Sequence, residues 1–150
     1  MRPAGHETNV VFIDTNILVY AFDADDAEKH IVADTIIRDL LLRNVLCLST
    51  QVLNEFYWNI TSVRRPQRLD HAVALRIIED LIQQSRIVAL TPSLTLEALR
   101  VLPVHTLSFW DSLIWAAAKA AGCSVVYSED FQHGRVLEGV RFVNPFLASP

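Results

Sequence analysis

Four acidic residues spread along the chain, Asp14, Glu55, Asp111 and Asp130, are the side chains best placed to do chemistry. Singly they are ordinary. Asp14 and Asp130 each follow an apolar run, where an Asp commonly caps a helix or sits in a loop. Asp111 stands three residues after Ser108 in a pattern close to a capping box, and a first-turn acid complements the helix dipole. Glu55 lies one turn into a helix, and a solvated surface is the commonest fate of a Glu. As a set they carry more weight. Carboxylates that converge in one cleft repel one another unless a cation neutralises them. Oxygen-only ligation selects hard ions, Mg2+ or Mn2+, which activate water and stabilise charge on a phosphoryl group. The five histidines, His6, His30, His71, His105 and His133, are scattered and offer no zinc spacing in competition.

The elements that would position these acids follow from hydrophobic periodicity. Residues 10–13 form a β-branched apolar run that predicts a strand buried on both faces, with Asp14 at its carboxyl end. Short strands are also predicted over 45–48, 86–90, 124–127 and 140–143. Helices are predicted over 16–23 and 26–43. A further helix, capped by Ser49 or Thr50, carries Val52, Phe56, Ile60 and Val63 on one face and stops by Pro66. Others are predicted over 69–84, 93–101 and 108–121, the last closed by Gly122. Strands alternating with helices imply a parallel α/β sheet covered on both faces, with polar chemistry at the carboxyl ends of the strands.

Composition limits the alternatives. The 150 residues suit one domain spanning 1–150, and 51% hydrophobic with 20% charged residues is a globular balance. No run reaches the roughly 18 apolar residues of a membrane span, and residues 1–9 lack the apolar stretch of a secretory signal. Cys47 and Cys123 each sit beside apolar sequence and are expected as buried, reduced thiols in a cytoplasmic protein. The net charge of −4, from 13 basic and 17 acidic residues, lacks the basic footprint of a nucleic-acid binder. If the four carboxylates bind metal the objection weakens, because 13 residues of each sign then remain.

Four motifs in order resemble the PIN-domain family. Val11-Phe12-Ile13-Asp14-Thr15-Asn16 with Leu18 and Tyr20 is similar to its opening strand and helix, and Asn54-Glu55 to its central acidic position. Trp110-Asp111-Ser112-Leu113-Ile114 with Ala116 and Ala117 resembles its third motif, and Tyr127-Ser128-Glu129-Asp130-Phe131 its fourth. The resemblance extends over 10–143. It implies a three-layer α/β/α sandwich around a central parallel sheet of four to five strands. It also implies Mg2+- or Mn2+-dependent endonucleolytic cleavage of RNA phosphodiester bonds. By position, Asp14, Glu55, Asp111 and Asp130 match the acidic, metal-binding set. Thr15, Asn16 and Ser128 match polar neighbours that support the metal site. Glu129 is an extra acid beside Asp130, and the family pattern favours Asp130 as the ligand. The compact size and the Ser128-Glu129-Asp130-Phe131 ending look most like the VapC-type toxins of type II toxin–antitoxin pairs, which implies a homodimer and a small cognate antitoxin.

Beside that resemblance, Arg64, Arg65 and Arg68 flank Pro66 and are candidates for RNA phosphate contacts, against the plainer reading of a solvated turn. Trp58, Trp110 and Trp115 are candidates for base stacking, although Trp115, in an apolar helix, suits the core better. Tyr57 and Trp58 also suit a dimer or antitoxin surface. An aspartyl-phosphate phosphohydrolase would want an Asp-x-Asp start, which Asp14-Thr15-Asn16 lacks. A receiver module would want early paired acids, a phosphoacceptor after a later strand and a Lys after a further one, and Leu48-Ser49-Thr50 and Tyr127-Ser128-Glu129 supply neither of the last two. A PIN-like domain that binds RNA or a partner without cleaving stays open as the alternative.

Overall fold

The computed structural model describes residues 9–147. The reading of the first nine residues as no secretory signal therefore lies almost wholly outside the described residues, as does His6.

Three short strands come first: β1 (Val11–Ile13), β2 (Leu46–Ser49) and β3 (Arg86–Val88). They are followed by β4 (Val125–Tyr127), β5 (Val136–Leu137) and β6 (Val140–Val143). The sheet order is β3-β2-β1-β4-β6-β5. β1 lies parallel to both β2 and β4, with Phe12 opposite Cys47 on one side and Val126 on the other. The pairs β2 with β3 and β4 with β6 are also parallel. The expected four to five strands become six because β5, only two residues long, pairs antiparallel with β6. The turn between them holds Glu138 and Gly139 both at positive φ, 46° and 89°, the conformation of a tight hairpin turn.

The helices are α1 (Thr15–Phe22), α2 (Ala27–Leu42), α3 (Thr50–Ile60), α4 (His71–Gln84), α5 (Pro92–His105) and α6 (Phe109–Ala120). The chain steps outward from β1 to β3 through α1–α4, then reverses to reach β4 through α5 and α6. Right-handed crossovers put helices that follow such a reversal on the opposite face, which yields the three layers. The core runs through the sheet, with Phe12, Leu48, Phe56, Val126, Phe142 and Trp115 at 2% exposure or less. Burying one such aromatic or Leu side chain stabilises the fold by about 2 kcal/mol. The Trp115 indole N–H donates to Leu137 O at 3.1 Å, which ties α6 to β5.

Two helix ends differ from the periodicity. α3 stops at Ile60, so Val63 leaves the apolar face and is exposed. Leu69 N–H donates to Ile60 O at 2.8 Å, which satisfies a carbonyl that a further turn would have used. α5 begins at Pro92 on a Thr91 cap rather than at Ser93, and runs through Pro103 to His105. Its last turn is held from outside: Arg135 donates to His105 O at 2.6 Å and His105 Nε2 meets Glu138 at 3.2 Å. Cys47 and Cys123 are buried and free as expected. They also prove to be neighbours, and the bond to Cys47 together with burial pushes the Cys123 thiol up.

Candidate functional site

The strand order makes a crevice between β1 and β4. Successive crossovers leave β1 towards β2 on one side, while β4 is placed on its other side by a later crossover. At such a reversal point the loops after adjacent parallel strands splay apart and open a site at the carboxyl edge. Asp14 follows β1 and Ser128-Glu129-Asp130 follows β4, so two of the four motifs meet there because β1 and β4 are neighbours.

Asp14 is both the N-cap of α1 and a buried carboxylate, 4% exposed. Its Oδ1 accepts from Thr15 N at 2.7 Å and its Oδ2 from Ser128 Oγ at 2.7 Å. Asn16, two residues on, bridges the strands. Its amide donates to Asp130 Oδ2 at 3.0 Å and, at 3.4 Å, to Asp14 Oδ2, while its Oδ1 accepts from Glu129 N at 3.3 Å. Ser128 Oγ in turn accepts from Asp130 N at 3.1 Å.

The other two acids lie on helices, Glu55 in the middle of α3 and Asp111 in the first turn of α6. Ser49 caps α3 by accepting from Val52 N at 3.3 Å, which sets the helix so that Glu55 turns towards α1. Thr15 Oγ1 donates to Glu55 Oε2 at 2.7 Å, and Gln51 Nε2 donates to Glu55 Oε1 at 3.0 Å and to Trp110 O at 3.3 Å. Ser108 caps α6 by accepting from Asp111 N at 3.1 Å, which places the Asp111 carboxylate in the first turn. The helix-cap readings of Asp14 and Ser108 thus hold. All four acids line one cavity of about 590 Å³.

The electrostatics follow from that crowding. Burial pushes the Asp14 carboxyl up from its ordinary 3.8 to about 7, against the hydrogen bonds from Ser128 and Thr15, with the charges of Asp130 and Asp111 adding to the rise. Asp111 is also raised, first by burial and then by Asp130 and Glu55, with its bond to Ser108 opposing. The pocket therefore holds more negative charge than it stabilises unaided, and its donors are all oxygen, the chemistry that suits a hard divalent cation. Among the described residues no three acid, His or Cys side chains are gathered into a ready-made ligand cluster. That is compatible with Mg2+, which keeps several waters and takes only one or two carboxylates directly. The Asn16 amide lies between Asp14 and Asp130 and donates to both.

The neighbouring predictions divide. Thr15, Asn16 and Ser128 each bond a site carboxylate. Glu129 turns away: its carboxylate accepts from Tyr20 OH and Lys29 Nζ, both at 2.8 Å, with the ammonium also over the Tyr20 and Phe146 rings. That cluster fastens the 128–130 segment to α1 and α2. Of the arginines, only Arg65 reaches the cavity, while Arg64 and Arg68 are exposed outside it. Trp110 lines the cavity and is 62% exposed, Trp58 is exposed away from it, and Trp115 is core. Sequence reasoning missed Gln51 and Tyr20. Gln51 stands four residues before Glu55, and helical spacing alone places it on the same face.

Comparison with known proteins adds the family. No curated protein matched the sequence. Solved structures of similar fold include the VapC20 toxin of Mycobacterium tuberculosis, described as cleaving the sarcin–ricin loop. It is 25% identical with a TM-score of 0.61 and covers 80% of this chain and 89% of its own. A toxin–antitoxin complex from Klebsiella pneumoniae is 14% identical with a TM-score of 0.63, covering 91% of this chain and 98% of that one. VapBC2 from Rickettsia felis, bound to a DNA fragment from its promoter, is 18% identical with a TM-score of 0.62, covering 89% and 96%. The family model of the PIN domain matches residues 11–138, and the chain belongs to the PIN-domain family.

Proposed function

We propose that the protein is a divalent-metal-dependent endoribonuclease and the toxin of a toxin–antitoxin pair. The observation that carries the reading is the convergence of Asp14, Glu55, Asp111 and Asp130 on one cavity, with Asp14 held near neutrality by burial and like charge. Asp14, Asp111 and Asp130 would hold Mg2+ or Mn2+, with Glu55 beside them as a ligand or as a group that orients water. The bound ion would lower the pKa of water and neutralise charge on the phosphoryl group. The protein's part is positioning. Ser128 and Thr15 fix Asp14, Asn16 fixes Asp130, and Thr15 with Gln51 fixes both oxygens of Glu55. A carboxylate held by two donors cannot swing away as charge shifts during the reaction.

The toxin assignment draws on the likeness to VapC20 and to the toxin–antitoxin complexes, and brings with it a cognate antitoxin, a homodimer and a cytoplasmic location. No described helix is long and apolar enough to cross a membrane. The alternative, a PIN-like domain that binds RNA or a partner without turnover, is favoured by one observation: the acids are not gathered into a ligand cluster among the described residues. RNA cleavage separates the two. The expected result is cleavage with Mg2+, none with EDTA and none by Asp14→Asn. Cleavage that needs no metal and survives Asp14→Asn would reject the proposal, and RNA binding without any cleavage would support the alternative.

A further inference from the structure

The cavity has a charge problem that one cation at the four carboxylates does not solve. Its wall also holds Asp23, Asp25 and Asp26, so among the described residues seven acids face one basic side chain, Arg65. A polyanion approaching such a wall is repelled unless a protein cation meets it. Arg65 lies in the 61–70 connection between α3 and α4, and its guanidinium donates to Asp23 at the C-terminus of α1. The pair is only partly covered, 26% exposed on Arg65 and 15% on Asp23. Asp23 is itself fixed, because its other oxygen accepts from Asp25 N at 3.0 Å. Arg64 and Arg68, although adjacent in sequence, have no ion-pair partner among the described residues and do not line the cavity.

This geometry suits exchange of one anion for another. A guanidinium binds carboxylate and phosphate through the same planar fork. Asp23 therefore holds the Arg65 guanidinium, through Nη1, among the residues that line the cavity. We infer that Arg65 is the cavity's receptor for an RNA phosphate, held ready by Asp23 until the phosphate displaces that carboxylate. The inference rests on the nuclease reading and assigns to one arginine what the sequence offered to three.

The test is fluorescence anisotropy of a fluorescein-labelled single-stranded oligoribonucleotide, with Ca2+ in place of Mg2+, across a KCl series. Arg65→Gln should weaken binding about tenfold, the loss of one charge-assisted bond. It should also make the slope of log K against log salt shallower by about 0.7, the share of one phosphate on a single strand. Arg64→Gln and Arg68→Gln should leave the slope unchanged. Asp23→Asn should tighten binding by about two- to fivefold, by releasing Arg65 from a partly covered ion pair. Arg65→Lys, which keeps the charge and loses the fork, should keep the slope while weakening binding, and it stands in if Arg65→Gln fails to fold. An unchanged slope in Arg65→Gln would overturn the inference. So would Asp23→Asn weakening binding in parallel with Arg65→Gln, the behaviour of a structural clamp, or an absence of RNA binding by the wild type. If Asp14→Asn abolishes cleavage while the Arg65→Gln slope stays intact, only this inference fails. Metal-independent cleavage would remove the nuclease reading itself.

Discussion

Replacing Asp14 with Asn should make the metal-free protein more stable at pH 8 and not at pH 5. Asp14 is 4% exposed, and three donors favour its ionised form, yet burial and two nearby carboxylates hold it at about 7. An unfolded chain would ionise it near 3.8. Between those two values the folded state keeps a proton that the unfolded state has released. This group's contribution is therefore greatest below about pH 4 and is lost as pH rises through 7. At about 1.4 kcal/mol per pH unit over roughly three units, the loss approaches 4 kcal/mol. Asn carries no charge at any pH but forfeits the bonds made by the ionised group, so a net gain of about 2 kcal/mol at pH 8 is expected. The assay is urea denaturation in EDTA at pH 5 and pH 8, followed by tryptophan fluorescence. Adding Mg2+ at pH 8 should raise the wild-type midpoint and leave that of Asp14→Asn in place. The same difference between wild type and variant at both pH values would refute the reasoning, because folding would then not change the charge state of Asp14.

Other consequences follow from single contacts. Ser128→Ala removes a donor 2.7 Å from Asp14, so the carboxyl should rise further and cleavage should need about tenfold more Mg2+; an unchanged Mg2+ titration would count against that role. Trp115→Phe leaves Leu137 O without its donor and opens space in the core, and should cost about 2 kcal/mol by urea denaturation with its site chemistry intact. Lys29→Met should release Glu129 and loosen the 128–130 segment, lowering both the melting temperature and the affinity for Mn2+. If neither changes, the Lys29–Glu129–Tyr20 cluster is idle surface.

Local signals carried the sequence furthest where they agreed with tertiary context. The β-branched run ending at Ile13 and the caps at Ser49 and Ser108 needed only neighbouring residues to specify them. β5 escaped because two residues have no period, and its pairing depends on the Glu138–Gly139 turn. The extent of α5 escaped because Pro103 argues locally for a stop, while Arg135 and Glu138 hold the last turn from about 30 residues away in sequence. Within the site, residue type and motif order pointed to the acids, but not to their ties. Thr15 meets Glu55 across 40 residues and Asn16 meets Asp130 across 114, contacts that exist only once β1 and β4 are adjacent. Arg65 separates from Arg64 and Arg68, and Glu129 from Asp130, because neighbouring residues in a turn point in different directions. No composition argument resolves that.

Whether the acidic cavity holds a divalent cation is read from Mn2+ binding to the RNA-free protein. The loss of the free-ion EPR signal on titration at pH 8 reads occupancy without any substrate. Saturable binding by the wild type is expected, weakened about tenfold or more in Asp14→Asn and retained in Arg65→Gln. Undiminished binding in Asp14→Asn, or no saturable binding by the wild type, would contradict it.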